Sequence, residues 1–117
     1  MMQTTETPNG TLVLTLAENR IDAATALHFK DNFREATSNA SGRVIMDLST
    51  VTFMDSSGLG AMVAALKSLK GQKLELCGLT AAVDKVFKLT RMDNVFLLYA
   101  SVDEALANDG SKGASAA

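Results

Sequence analysis

A chain of 117 residues, 47% of them hydrophobic, carries enough apolar side chain to fill the core of one domain, which excludes a chain disordered throughout. A net charge of −2 offers no basic face for nucleic acid, and no apolar run approaches the ~20 residues that cross a bilayer. The lone cysteine, Cys77, excludes an internal disulfide, and the polar stretch Met1 to Gly10 has neither region of a secretory signal, so a soluble cytoplasmic protein is expected.

Pro8-Asn9-Gly10 marks a turn. Gln3 to Thr7 is expected to pair across it, as a short edge strand, with the alternating segment Thr11 to Leu16, whose Leu12, Leu14 and Leu16 share a face. Asp22 is placed to cap a helix from Ala23 to about Thr37 that buries Ala26, Phe29, Phe33 and Ala36. Ser38 to Gly42 reads as a loop. Arg43 to Leu48 reads as a strand, and its unbroken run Val44-Ile45-Met46 predicts a mid-sheet position covered on at least one side. Beyond a polar junction, Leu59 to Leu69 predicts a helix with Leu59, Met62, Val63, Leu66 and Leu69 buried and with Ala61, Ala64 and Ala65 permitting close approach. Lys70-Gly71-Gln72 turns the chain into a strand, Lys73 to Cys77. Thr80 is expected to cap a third helix with Val83, Val86, Phe87 and Thr90 on its apolar face. Val95 to Tyr99 is another strand, and Ser101 with Glu104 makes a capping-box pattern for a short last helix. From Asn108 the composition predicts a mobile tail. The order β-β-α-β-α-β-α-β-α predicts an α/β domain with a mostly parallel sheet of four to five strands and a short antiparallel N-terminal edge.

The junction Asp55-Ser56-Ser57-Gly58-Leu59-Gly60 places two hydroxyls and free backbone N–H groups at the positive end of a helix dipole. That suits a phosphate, either bound or attached covalently to serine, while the glycines would equally result from close packing of loop against strand. The junction has no lysine and is not a nucleotide P-loop. His28, the sole histidine, falls within the first helix, and no Gly-x-Ser-x-Gly elbow accompanies it, so it reads as an ordinary helix residue rather than a member of a hydrolase triad. One histidine and one cysteine supply no metal cluster, and Cys77 in its strand reads as a small buried hydrophobe. A phosphorylated serine, by contrast, asks for no catalytic residue and no cofactor of this chain. It adds about −1.5 to −2 charges, which the helix start tolerates and a partner surface packed over the loop, or the neighbouring Asp55, does not. Phosphorylation of that kind breaks a complex and leaves the fold intact.

The run Val44-Ile45-Met46-Asp47-Leu48-Ser49-Thr50-Val51-Thr52-Phe53-Met54-Asp55-Ser56-Ser57-Gly58-Leu59-Gly60 closely resembles the core motif of bacterial anti-sigma factor antagonists, which are single STAS domains (sulfate transporter and anti-sigma factor antagonist). Ile21-Asp22, Leu74-Glu75-Leu76-Cys77-Gly78 and Ser101 to Leu106 resemble further family segments, so the likeness spans residues 10 to 107. It implies helices packed mainly on one face of the sheet and a division into an N-terminal segment 1–10, a STAS domain 11–107 and a flexible tail 108–117. It also implies a partner switch. The unphosphorylated antagonist binds an anti-sigma factor that is a serine kinase of the GHKL type. The kinase phosphorylates the serine after the motif aspartate, and a PP2C-type phosphatase resets it. That acceptor is Ser56, in preference to Ser57, and the implied partner-binding residues are Asp22, Asp55, Ser56, Ser57, Gly58, Leu59 and Gly60. For Asp22 a helix-capping role is compatible with this. Periodicity favours core positions for Leu59, Met62 and Val63. Two positions depart from the family pattern: Arg91, where a small residue is common, and Asn19-Arg20, where Gly-Glu is common. The second adjoins the implied partner face and leaves the partner's identity open. Some STAS domains regulate transporters, enzymes or signalling proteins instead, and that is the alternative. The short edge strand and alanine-rich helix surface permit a monomer or a weak dimer.

Overall fold

The computed structural model describes residues 2–70 and 72–108. The leucine alternation forms strand β2, Leu12–Leu16, and β1, Met2–Glu6, pairs antiparallel with it, Thr4 opposite Leu14. Gly10 closes the turn between them at φ +89, donating its N–H to the Thr7 carbonyl; a left-handed φ of this kind costs glycine little. The chain continues through β3 (Arg20–Ile21), α1 (Ala26–Ala36), β4 (Val44–Asp47), β5 (Phe53–Met54), α2 (Ser56–Ser68), β6 (Leu74–Cys77), α3 (Ala81–Leu89), a 3-10 turn (Met92–Asn94), β7 (Leu97–Tyr99) and α4 (Val102–Ala107). The main sheet has the order β1-β2-β4-β6-β7, parallel except for the first pair. Each parallel neighbour needs a crossover, and α1, α2 and α3 supply them.

Those three helices cover one face. Phe29 and Phe33 of α1, Met62 and Ala65 of α2, and Val83 and Phe87 of α3 pack on Leu14, Leu16, Val44, Met46, Leu74 and Leu76. The other face carries Val13, Ile45, Cys77 and Tyr99, covered by Ala105 of the short α4. Both faces of β4 are therefore buried, which is why its apolar run is unbroken. On that second face Glu75, 3% exposed, takes a bidentate pair from Arg43 at 2.6 and 3.0 Å. Arg43 also donates to the carbonyls of Ala105 and Asn108, tying the end of α4 to the sheet.

Several boundaries differ from the expectations. α1 begins at Ala26 rather than Ala23, and α2 at Ser56 rather than Leu59, for reasons that belong to the site. β7 begins at Leu97, because the 3-10 turn carries the chain past Val95 and sets Phe96 edge-on to Phe87 at 5.5 Å. Thr80 does occupy the first cap of α3, but its hydroxyl donates to the Val51 carbonyl instead of capping. Thr90 is exposed at the end of that helix and bonds the Val86 carbonyl, so it is no part of the apolar face. Ser101 accepts the Glu104 N–H at 3.1 Å, and Glu104 reaches back to the N–H of Ala100, completing a capping box displaced by one residue. The β3–β5 pair, a separate two-stranded sheet, was not expected from the sequence. Gly71 of the predicted turn and residues 109–117 of the predicted tail lie outside the described residues.

Candidate functional site

β5 ends at the buried Met54, and the next residue, Asp55, is the cap of α2. Its Oδ1 accepts the Gly58 N–H at 2.9 Å, satisfying one of the donors that a helix start leaves open. Its Oδ2 accepts the Ala23 N–H at 3.3 Å, so a single carboxylate joins the helix start to the segment after β3. Capping, not apolar periodicity, decides where this helix begins, which places Ser56 and Ser57 in its first turn. Both are exposed, and neither hydroxyl is hydrogen-bonded among the described residues.

Gly58 and Gly60 differ in kind. A Cβ on Gly58 would stand 1.9 Å from the Ile21 carbonyl oxygen, so only glycine lets α2 sit on the β3 backbone. A Cβ on Gly60 would meet nothing within 4 Å. Leu59 is half-buried against the core, as are Val63 and Leu66, while Met62 is fully buried.

Asp22 does not cap α1. Its Oδ1 accepts the N–H groups of Ala24 and Thr25 at 3.1 and 3.2 Å, and its Oδ2 accepts from Arg20 Nε at 3.0 Å. The carboxylate thus holds a turn over residues 22–25, and the helix starts after that turn, with Thr25 at its cap position. The Arg20 bond, then the Thr25 bonds, hold the Asp22 carboxyl below its usual pKa.

The parallel pairing of Arg20 with Phe53 and Ile21 with Met54 carries Asp22 alongside Asp55. Asp22, Asp55, Ser56, Ser57 and Gly58 therefore meet at one corner, Gly60 continues along the exposed side of α2, and Leu59 turns to the core. The sequence placed Asn19-Arg20 beside the implied partner face and Phe53 within the motif run, but it did not show that Arg20 and Phe53 touch. The Arg20 guanidinium lies 4.2 Å from the centroid of the Phe53 ring, itself 39% exposed. The polar-apolar-polar run Arg20-Ile21-Asp22 is too short to mark a strand in the sequence.

Away from this corner, burial pushes the Cys77 thiol up to about 12, with Asp47 and Glu75 adding to the effect, so the thiol stays protonated; it lies 3.5 Å from the Met46 carbonyl. His28 is exposed on α1, beside a cleft of about 340 Å³ that Leu16, Ile21 and Phe29 also line. Among the described residues, no three His, Cys, Asp or Glu side chains cluster for a metal, and no helix is long and apolar enough to cross a membrane.

Comparison with known proteins places these features in context. Residues 2–105 match the family described as STAS domain. The anti-sigma-B factor antagonist of Listeria monocytogenes is 37% identical over 78 residues, covering 64% of this chain and 68% of that one. The crystal structure of an anti-sigma factor antagonist from Mycobacterium paratuberculosis superposes with a TM-score of 0.80 at 25% identity, covering 92% of this chain and 91% of that one. The Bacillus cell fate determinant SpoIIAA in its phosphorylated form shares the fold with a TM-score of 0.65 at 21% identity, over 92% of this chain and 97% of its own.

Proposed function

The chain belongs to the STAS domain family, and from that premise we propose that it is an anti-sigma factor antagonist controlled by phosphorylation of Ser56. The observation that carries this reading is the acceptor geometry. Ser56 is exposed at the first position of α2, immediately after a capping aspartate whose two oxygens are already engaged. A phosphoryl group there meets the helix dipole and the free N–H groups of the first turn, so the fold accommodates it. The same group brings about −1.5 to −2 charges next to Asp55 and Asp22, so an acidic or closely packed partner surface is repelled. The Listeria relative's name supports the partner class.

In this reading the domain, residues 11–107, is cytoplasmic, works as a monomer or weak dimer, and performs no catalysis. Its partner face comprises Asp22, Asp55, Ser56, Ser57 and Gly60, with Gly58, buried against β3, and Leu59 supporting it from the core side. The partner is an anti-sigma factor with a GHKL-type serine kinase activity. The kinase transfers the γ-phosphoryl group of ATP to the Ser56 oxygen, whose proton is released with ADP. A PP2C-type phosphatase returns serine and inorganic phosphate by hydrolysis.

The test is binding of the kinase by two variants in the presence of ATP, measured by calorimetry. Ser56→Ala retains full affinity indefinitely, and Ser56→Asp loses on the order of 100-fold through the introduced like charge. Equal affinity of the two variants overturns the reading. Phosphopeptide mass spectrometry that finds phosphate on Ser57 and none on Ser56 moves the acceptor by one residue.

A further inference from the structure

Arg20 stands at the acceptor corner with most of its hydrogen-bonding capacity unused. A guanidinium has five N–H donors in a planar fork. One of them, on Nε, goes to Asp22 Oδ2 at 3.0 Å, and among the described residues neither Nη group is bonded. The side chain is 53% exposed, and its guanidinium carbon lies 4.2 Å from the centroid of the Phe53 ring.

The strand register fixes where that fork is presented. Arg20 lies opposite Phe53 and Ile21 opposite Met54, so the chain runs on from Arg20's own strand partner to Asp55 and Ser56 within three residues. The bond from the Ala23 N–H to Asp55 holds that alignment past the end of the strands. The Arg20 side chain bonds Asp22 and lies on the Phe53 ring, so it sits on the side of the strands that both face. The stacking of Arg20 on Phe53 shows that the two exposed sides are continuous. The other titratable groups around the guanidinium are the carboxylates of Asp22 and Asp55 and, along the adjoining cleft, Glu18 and His28. Arg20 is thus the permanent cation at a corner where a phosphoserine would otherwise face two carboxylates.

We propose that Arg20 is a phosphate clamp: when Ser56 carries a phosphoryl group, the Nη groups of Arg20 donate a bidentate pair of hydrogen bonds to it, and the guanidinium leaves Asp22 while remaining on Phe53. Phosphate oxygens match this fork as carboxylate oxygens do, and the side chain is already held at the corner by Phe53 and Asp22, so little side-chain freedom is lost. The modification then changes the partner face twice. It adds the phosphate, and it removes Arg20 as a cation available to the partner. This rests on the reading of Ser56 as the modified residue.

The experiment installs phosphoserine at position 56 of the full chain by genetic encoding and follows its titration by phosphorus NMR. The clamp favours the dianion, so the second phosphate pKa in the wild-type background lies lower than in Arg20→Gln by roughly half a unit to one unit. Arg20→Lys restores part of that shift, since it keeps the charge and lacks the fork. Carbon NMR of the Asp22 carboxyl shows its pKa rising more on phosphorylation in the wild type than in Arg20→Gln, because only the wild type loses an ion pair. Identical phosphate titrations in the wild type and Arg20→Gln overturn the clamp. So does an equal response of phosphoserine installed at position 57, which would reveal a diffuse field rather than a bond. The outcomes stay separable from the partner switch. A phosphoprotein that still binds the kinase removes the switch and leaves the clamp, whereas an unshifted titration removes the clamp and leaves the switch.

Discussion

Two aspartates, Asp22 and Asp55, each come directly after a two-residue strand, each precede a helix, and end up side by side, yet only one of them caps. Asp55 has an extended backbone, φ −106 and ψ −172, and its Oδ1 takes the N–H of the third helical residue, Gly58. Asp22 gives its Oδ1 to Ala24 and Thr25 and its Oδ2 to Arg20, so its carboxylate is consumed by a turn before α1 can start. The difference lies in the three residues downstream of each aspartate. Gly58 has no Cβ, so the first turn of α2 can close against the Ile21 carbonyl. After Asp22, the Thr25 hydroxyl accepts the Asp22 N–H at 2.9 Å and competes for the same turn. A capping residue therefore begins a helix only where its neighbours leave the first turn free to form.

The sharpest way to break the contrast is Gly58→Ala. The added methyl collides with backbone, not with a flexible side-chain end, and costs about 3 kcal/mol. The urea midpoint falls accordingly; an unchanged midpoint would show that α2 can slide away from β3 without loss. Asp55→Ala removes both the cap and the link to Ala23, and costs about 1–2 kcal/mol in the same measurement. Gly60→Ala has the opposite sign. With space for a Cβ and a helical backbone, the replacement stabilises by about 0.5–1 kcal/mol, so a loss of kinase affinity in a more stable protein would assign Gly60 to the partner face rather than the fold.

The smallest effect comes from Asp22→Asn. The folded pKa of Asp22 is lowered from its usual 3.8, so the charged form is the one the fold favours. Its contribution is fully present above 3.8 and is lost as pH falls through the folded value below it. Melting temperatures of the wild type and Asp22→Asn therefore differ near neutrality and converge in acid. A difference that persists at the acid end would place the effect of the substitution outside the ion pair with Arg20.

Most of the sheet was legible in the chain because strand periodicity reports a face directly: Leu12, Leu14 and Leu16 point to α1, α2 and α3, and the unbroken run in β4 reflects a sheet buried on both sides. The serine corner was legible because polar and glycine residues stood between two apolar segments. The β3–β5 pair was not, since two residues per strand give no period to detect. For that reason the sequence could place Arg20 beside the partner face but not show that its side chain rests on Phe53, 33 residues further along the chain. The departure noted at Arg91, where a small residue is common, falls at a left-handed φ of +62, a conformation that favours glycine.

The sequence by itself determined the α/β class, the order of the main-sheet strands and of the helices, and the exposed serines after Asp55, because hydrophobic period and turn chemistry act over a few residues at a time. Only the tertiary structure decided which aspartate caps, which glycine is required and that Arg20 rests on Phe53. Those outcomes depend on β3 meeting β5, a contact between segments more than 30 residues apart whose bonds, such as Ala23 to Asp55, no local pattern encodes.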